Sequence, residues 1–170
     1  MMNSKQLSDF QIVASYMSGS VPINLNGLCK DLGIELCVKP LNSEISGELE
    51  RKPDGSFRIN VNELHHVNRR NFTVGHEIGH FILHRDLIGD GVDDTKMYRS
   101  ENVGKYFNQN IKPIHEREAN SFAASMLMPR DTLKNYHTIT QDLSELASKF
   151  QVSKAAMQYR LEDLGLPFNL

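Results

Sequence analysis

The chain has 170 residues, a formal net charge of -2, 39% hydrophobic residues and no tryptophan. That length suits one ordinary domain with its own core, and neither charge nor composition points to nucleic acid, a membrane or disorder. The N-terminal MMNSKQLSDF lacks the basic-then-apolar pattern of a signal peptide, and no apolar run approaches the roughly 18 residues of a bilayer span, so the sequence predicts a cytoplasmic protein. Cys29 and Cys37 are too few for a disulfide framework or a thiolate metal site and read as core thiols.

Phe10, Val13, Ala14 and Met17 recur at helical spacing, predicting a first helix that ends at SGSVP. A second runs from Leu25 to Leu32, stops at Gly33, and is followed by a strand, IELCV. Ile45 to Arg51, a KPDGS turn and the alternating FRINVN predict a hairpin, hence a small antiparallel sheet. Asn68 is the expected N-cap of the next helix, which carries NFTVGHEIGHFILH. Residues 86–114 show no sustained period and read as a long solvated connection. A helix over HEREANSFAASMLM ends at Pro129, and two more are expected over 142–150 and 153–164.

The chemistry is concentrated in HEIGH. On a helix, residues four apart differ by about 40° in direction and about 6 Å in rise, so His76 and His80 can aim two imidazoles at one point. Glu77 lies about 100° round from His76, unsuited to share a metal but placed to reach a water on the ion. This is the H-E-x-x-H pattern of zinc peptidases. Val74, Ile78, Phe81 and Ile82 form the opposite, anchoring face, and Gly75 and Gly79 mark a third side where something packs closely. His84 lies about 12 Å further along the axis than His76, out of reach of a shared ion, and reads as a helix-end or cleft-wall residue.

The third ligand must come from another segment. Glu116 shares a helix face with Asn120, Ala123 and Leu127, whereas Glu118 points nearly the opposite way. Glu116 is therefore the expected ligand, His115 the fallback, Glu118 a solvated acid, and Asn120 the residue that holds a ligating histidine by its second nitrogen.

Together H-E-x-x-H, then EREANSFAASMLMP, then LASKFQVSKAAMQYRLEDLGL resemble the ImmA/IrrE-type metallopeptidases, zincin-fold proteins typically encoded beside a helix-turn-helix repressor. The resemblance covers most of the chain, from PINLNGLCKDLGIEL onward. It implies an α+β, zincin-like metallopeptidase core with an H-E-x-x-H active-site helix over residues 1–135 and a helical, helix-turn-helix-like extension over 136–170 packed on it. It further implies a Zn2+ endopeptidase in which His76, His80 and Glu116 bind the ion and Glu77 is catalytic, with a specific transcriptional repressor as substrate. Asn71 and Gly75 depart from the family pattern, which often has Arg and Ala there.

An oxyanion-stabilising donor is also expected, and Tyr98, Tyr106, Tyr136 and His137 remain equivalent candidates. The FRINVN strand is a candidate edge for an extended substrate. Two other function classes compete: a zinc-binding partner or toxin-like component that does not cut, and a DNA-binding module using the C-terminal helices. The latter is weakened because residues 142–164 hold three basic and four acidic side chains, not the basic surface that phosphate binding needs.

Overall fold

The computed structural model describes residues 1–95 and 108–170. Helix α1 (Ser4–Met17) opens on a capping box, Asn3 Oδ1 accepting from Gln6 N at 2.8 Å and Gln6 Oε1 from Asn3 N at 3.1 Å. Helix α2 (Leu25–Asp31) is capped by Asn24, and Gly33, at φ 74°, turns the chain into strand β1 (Ile34–Lys39). The hairpin β2 (Ile45–Arg51) and β3 (Phe57–Asn62) follows, then the long helix α3 (Val67–Leu83), the single turn α4 (Arg85–Ile88) and strand β4 (Gly91–Thr95). Helices α5 (Pro113–Leu127), α6 (Arg130–His137), α7 (Leu143–Phe150) and α8 (Lys154–Asp163) complete the fold.

The sheet has the order β1-β3-β2-β4 and is mixed, not antiparallel throughout. β2 pairs antiparallel with both β3 and β4, but β1 runs parallel to β3, with Leu36 opposite Ile59. The chain passes from β1 through the whole of β2 before β3 returns beside β1, and this intervening strand gives β1 and β3 the same direction. β3 is thus an inner strand, and the expectation that FRINVN offers a free edge to substrate is corrected.

Three other readings change. α3 begins at Val67 with His66 as its cap, and the Asn68 side chain instead donates to Val152 O at 3.1 Å. Residues 86–114 are not one irregular connection, because they contain most of α4, all of β4 and the start of α5. Val92 is the only apolar side chain of β4, so this strand exists through its ladder with β2 and leaves no local pattern. Helix α6 was not expected. Tyr98 and Tyr106 lie outside the described residues.

The core sits between the sheet and α3, where Leu49, Ile59, Val61, Ile78 and Ile82 are fully buried, and it continues into Leu146, Phe150, Met157 and Leu161 of the last two helices. No described helix is long and apolar enough to cross a membrane. The far end of α3 is tied to α1: Arg85 Nη2 donates to Asp9 Oδ2 at 2.6 Å, with the guanidinium 3.8 Å from the centre of the Phe81 ring. These side chains are only 14% and 8% exposed, so removing one partner leaves a charge uncompensated in a poorly hydrated place. Asp9→Ala is expected to lower the urea-unfolding free energy by about 3 kcal/mol, and a loss below about 0.5 kcal/mol would show the pair to behave as an ordinary surface contact.

Candidate metal centre

Residues Thr73 to Ile82 of α3 are all buried, so every face of this helix meets protein. The side bearing Gly75 and Gly79 meets α5. A Cβ added at Gly79 would stand 3.1 Å from both Ala119 Cα and Ala119 O, and one at Gly75 would stand 3.1 Å from Ala123 Cβ. The small residues on both helices therefore let the two backbones approach, which is the close packing expected at those glycines.

That approach delivers Glu116 to the histidines. Its Oε2 lies 3.1 Å from His76 Nε2, its Oε1 3.2 Å from His80 Nε2, and the two Nε2 atoms are 3.0 Å apart. Among the described residues this is the one group of three or more His, Cys, Asp or Glu side chains whose donor atoms lie within 4.8 Å of one another. Donors about 2.0 Å from a tetrahedral ion are separated by about 3.3 Å. The observed triangle matches one face of such a tetrahedron, and its two imidazoles and one carboxylate are a donor set that zinc accepts. The residues fit the metal.

Their protonation states fit as well. Burial pushes the Glu116 carboxyl up, but the His76 and His80 rings outweigh it and hold the group at about 2, so it is a carboxylate. Burial drives His80 below its ordinary value despite the opposing pull of Glu116, which favours the neutral imidazole. A neutral imidazole beside an ionised carboxylate is what a cation requires of its ligands.

Glu77 is fully buried beside this triangle and is not one of its donors. β2 passes directly over it: a Cβ at Gly47 would lie 3.8 Å from Glu77 Oε1 and would collide with Thr73 Cγ2. Asn120 lies beside the triangle, its Oδ1 2.7 Å from His76 Nδ1. His115 does not join the donors; its Nδ1 accepts from Lys112 N at 3.0 Å at the start of α5.

Two readings of the sequence missed an interaction. His84 is the helix-end residue expected, the C-cap of α3, but its Nδ1 also lies 3.0 Å from His80 Nδ1. Glu118 is not simply solvated: its Oε2 lies 2.7 Å from His84 Nε2, and this contact holds its carboxyl below the ordinary value. The signal available was the step of four from His80 to His84, which stacks the rings on one face.

A cleft of about 740 Å³ opens beside the centre, with Arg69, Phe72 and Thr73 of α3, Asn120 of α5, and Tyr159 and Arg160 of α8 among its walls. Asn120 joins it to the donors. The α7–α8 turn is held against α3 by the Asn68 bond to Val152 O and by Asn71 Nδ2 donating to Gln151 O at 3.1 Å. Of the remaining oxyanion candidates, His137 Nε2 is bonded to Pro167 O at 2.6 Å and Tyr136 packs edge-on against Phe150. Both serve the packing of the C-terminal helices.

A sequence profile of the peptidase M78 family, described as the IrrE N-terminal-like domain, matches residues 29–162. The radiation response metalloprotease IrrE of Deinococcus radiodurans is 31% identical over 119 residues, covering 65% of this chain and 34% of that protein. Its namesake in Deinococcus deserti is 28% identical over 167 residues, covering 92% of this chain and 53% of that protein. The chain thus spans between about a third and about a half of these relatives. A Mycobacterium tuberculosis transcriptional regulator shares the fold, with a TM-score of 0.58 at 17% identity over 95% of this chain and 47% of that one. At that identity the likeness is one of fold alone.

The helix contact makes the two glycines unequal. Gly79→Ala should weaken metal binding by about tenfold or more, although alanine gains about 1 kcal/mol of helix propensity, because the new methyl meets the Ala119 backbone. Gly75→Ala meets the methyls of Ala123 and Met126 at 3.1 and 3.2 Å and Ala123 Cα at 3.3 Å, a looser backbone contact than at Gly79, and should cost less. Titration against a chromophoric chelator checks both, and equal affinity for Gly79→Ala and the unaltered chain would contradict the packing argument.

Proposed function

The chain belongs to the IrrE N-terminal-like family of metallopeptidases, and from that premise we propose that it is a zinc-dependent endopeptidase of zincin type. Its substrate on this reading is one particular cytoplasmic protein, a helix-turn-helix transcriptional repressor encoded nearby, so that cleavage relieves repression. The observation that carries the reading is the buried triangle of donor atoms from His76, His80 and Glu116.

The two histidines would hold zinc by Nε2 and Glu116 by its carboxylate; when bound, the ion supplies a water acidified to a pKa of about 7 and a polarised substrate carbonyl. Glu77 takes the proton of the attacking water on its carboxylate and passes it to the leaving amine nitrogen. Its burial beneath Gly47 keeps that proton from bulk solvent between the two transfers. Asn120 keeps the His76 ring aimed inward by accepting from its Nδ1.

The substrate needs an extended path past Glu77. Among the described residues β4 is an edge strand of the sheet, and its Asp94 pairs with Gly47, the residue that overlies Glu77. Main-chain pairing along this edge would lay a peptide beside the centre, while the cleft between α3, α5 and α8 receives side chains. Residues 136–170 on this reading form a helical extension that walls the cleft and confers selectivity. Their α7–α8 turn is engaged with α3, and their charges are balanced, which supports a packing role over DNA contact.

The test is incubation with the repressor encoded beside this chain, with zinc or with a chelator, followed by mass spectrometry of the products. Defined fragments are expected with zinc and none with chelator, and Glu77→Gln should slow cleavage by at least about a hundredfold while keeping one zinc per chain. Cleavage that persists in Glu77→Gln would refute the assignment. A stable, zinc-loaded complex with an intact repressor would instead favour the non-cutting partner.

A further inference from the structure

Resting on the metal reading above, we propose that His84 and Glu118 are positioning residues that fix the tautomer of His80 through two successive hydrogen bonds. His80 turns Nε2 toward His76 and Glu116, which leaves its Nδ1 3.0 Å from His84 Nδ1. A neutral imidazole carries one proton, so a ring that gives its Nε2 lone pair to a cation is protonated at Nδ1. His80 Nδ1–H then donates, and His84 Nδ1 must accept.

This requirement places the His84 proton on Nε2, 2.7 Å from Glu118 Oε2, and an ionised carboxylate can only accept. Followed inward from the surface, each group dictates the next. An acceptor at position 118 selects Nε2–H on His84, which leaves a lone pair on its Nδ1. That lone pair selects Nδ1–H on His80 and leaves the His80 Nε2 lone pair aimed at the donor triangle. Every ring stays neutral, and no proton is gained or lost.

The two ligating histidines are therefore held by different devices. His76 is fixed in one step, by the Asn120 amide oxygen at 2.7 Å. His80 is fixed in two, and the His115 ring, its centroid 4.8 Å from that of His84, packs beside the middle member. The outer end reaches solvent: the His84 side chain is 4% exposed and that of Glu118 49%. Position 118 can thus be changed without opening the core, which separates tautomer control from folding.

The decisive comparison is Glu118→Gln against Glu118→Lys, in the full chain. Glutamine keeps an acceptor oxygen and should hold zinc within about twofold of the unaltered protein. Lysine offers only donors, so it favours Nδ1–H on His84, which confronts the proton on His80. Zinc affinity should then fall by about ten- to a hundredfold, the range for losing a partner that orients a ligand. Chelator competition at high salt, where an exposed charge is screened, reads the affinity. Nitrogen-15 spectra of the zinc-loaded protein read the tautomers directly, with His84 expected as Nε2–H in the unaltered and glutamine forms.

Equal losses in the two variants, no loss in the lysine variant, or an Nδ1–H tautomer at His84 in the zinc-loaded protein would each overturn the proposal. Neither readout depends on proteolysis, so a chain that binds zinc with this polarity yet cuts nothing would sustain the proposal and count against the peptidase reading alone. A chain that binds no zinc would remove the metal centre and this proposal with it.

Discussion

The centre depends on how closely α5 lies against α3. Gly75 and Gly79 face Ala123 and Ala119 at distances where a methyl on Gly79 would strike backbone, not a movable side chain. Each glycine costs a helix about 1 kcal/mol relative to alanine, and no hydrophobic gain at these positions offsets it. What the spacing secures is the reach of one short side chain: from this α5, the Glu116 carboxylate spans both imidazoles. Two glycines and two alanines thus set the position of a donor that lies far from the histidines in the sequence.

Around this contact the rest of the fold acts as a clamp. The sheet holds the opposite face of α3 through Ile78 and Ile82, and Gly47 brings β2 down onto Thr73 and Glu77. The Asp9–Arg85 pair anchors the helix end beyond His84, while Asn68 and Asn71 bind the α7–α8 turn near its beginning. Burying imidazoles and carboxylates in such a place is unfavourable unless each finds a partner. Here the partners form continuous chains: Asn120 to His76 to Glu116, and Glu118 to His84 to His80 to Glu116.

Much of this was legible because helical geometry is regular. The rise of about 12 Å over the eight residues from His76 to His84 separated His84 from the pair His76 and His80, and face-sharing with Asn120 and Ala123 distinguished Glu116 from Glu118; His76, His80 and Glu116 are the donors that the structure gathers. The glycine side of α3 was visible as a place of close approach, but not which helix would fill it. Less legible was anything set by tertiary hydrogen bonding. β4 carries one apolar residue and exists through its pairing with β2, and whether β1 runs parallel or antiparallel to its neighbour depends on whether that neighbour is β3 or β2. Glu118 escaped for a related reason. Its direction on α5 was read as nearly opposite to that of Glu116, yet both acids reach the same row of histidines, Glu116 meeting His76 and His80 and Glu118 meeting His84 one turn beyond; a helical wheel of a single helix does not contain the neighbour.

The peptidase chemistry requires that His76, His80 and Glu116 share a single ion. Diffraction from crystals grown with zinc, recorded on both sides of the zinc absorption edge, addresses it without reference to activity. One strong anomalous peak is expected about 2 Å from His76 Nε2, His80 Nε2 and a Glu116 oxygen. A peak held instead by His84, His115 or Glu118, or no peak at this triangle, would contradict it.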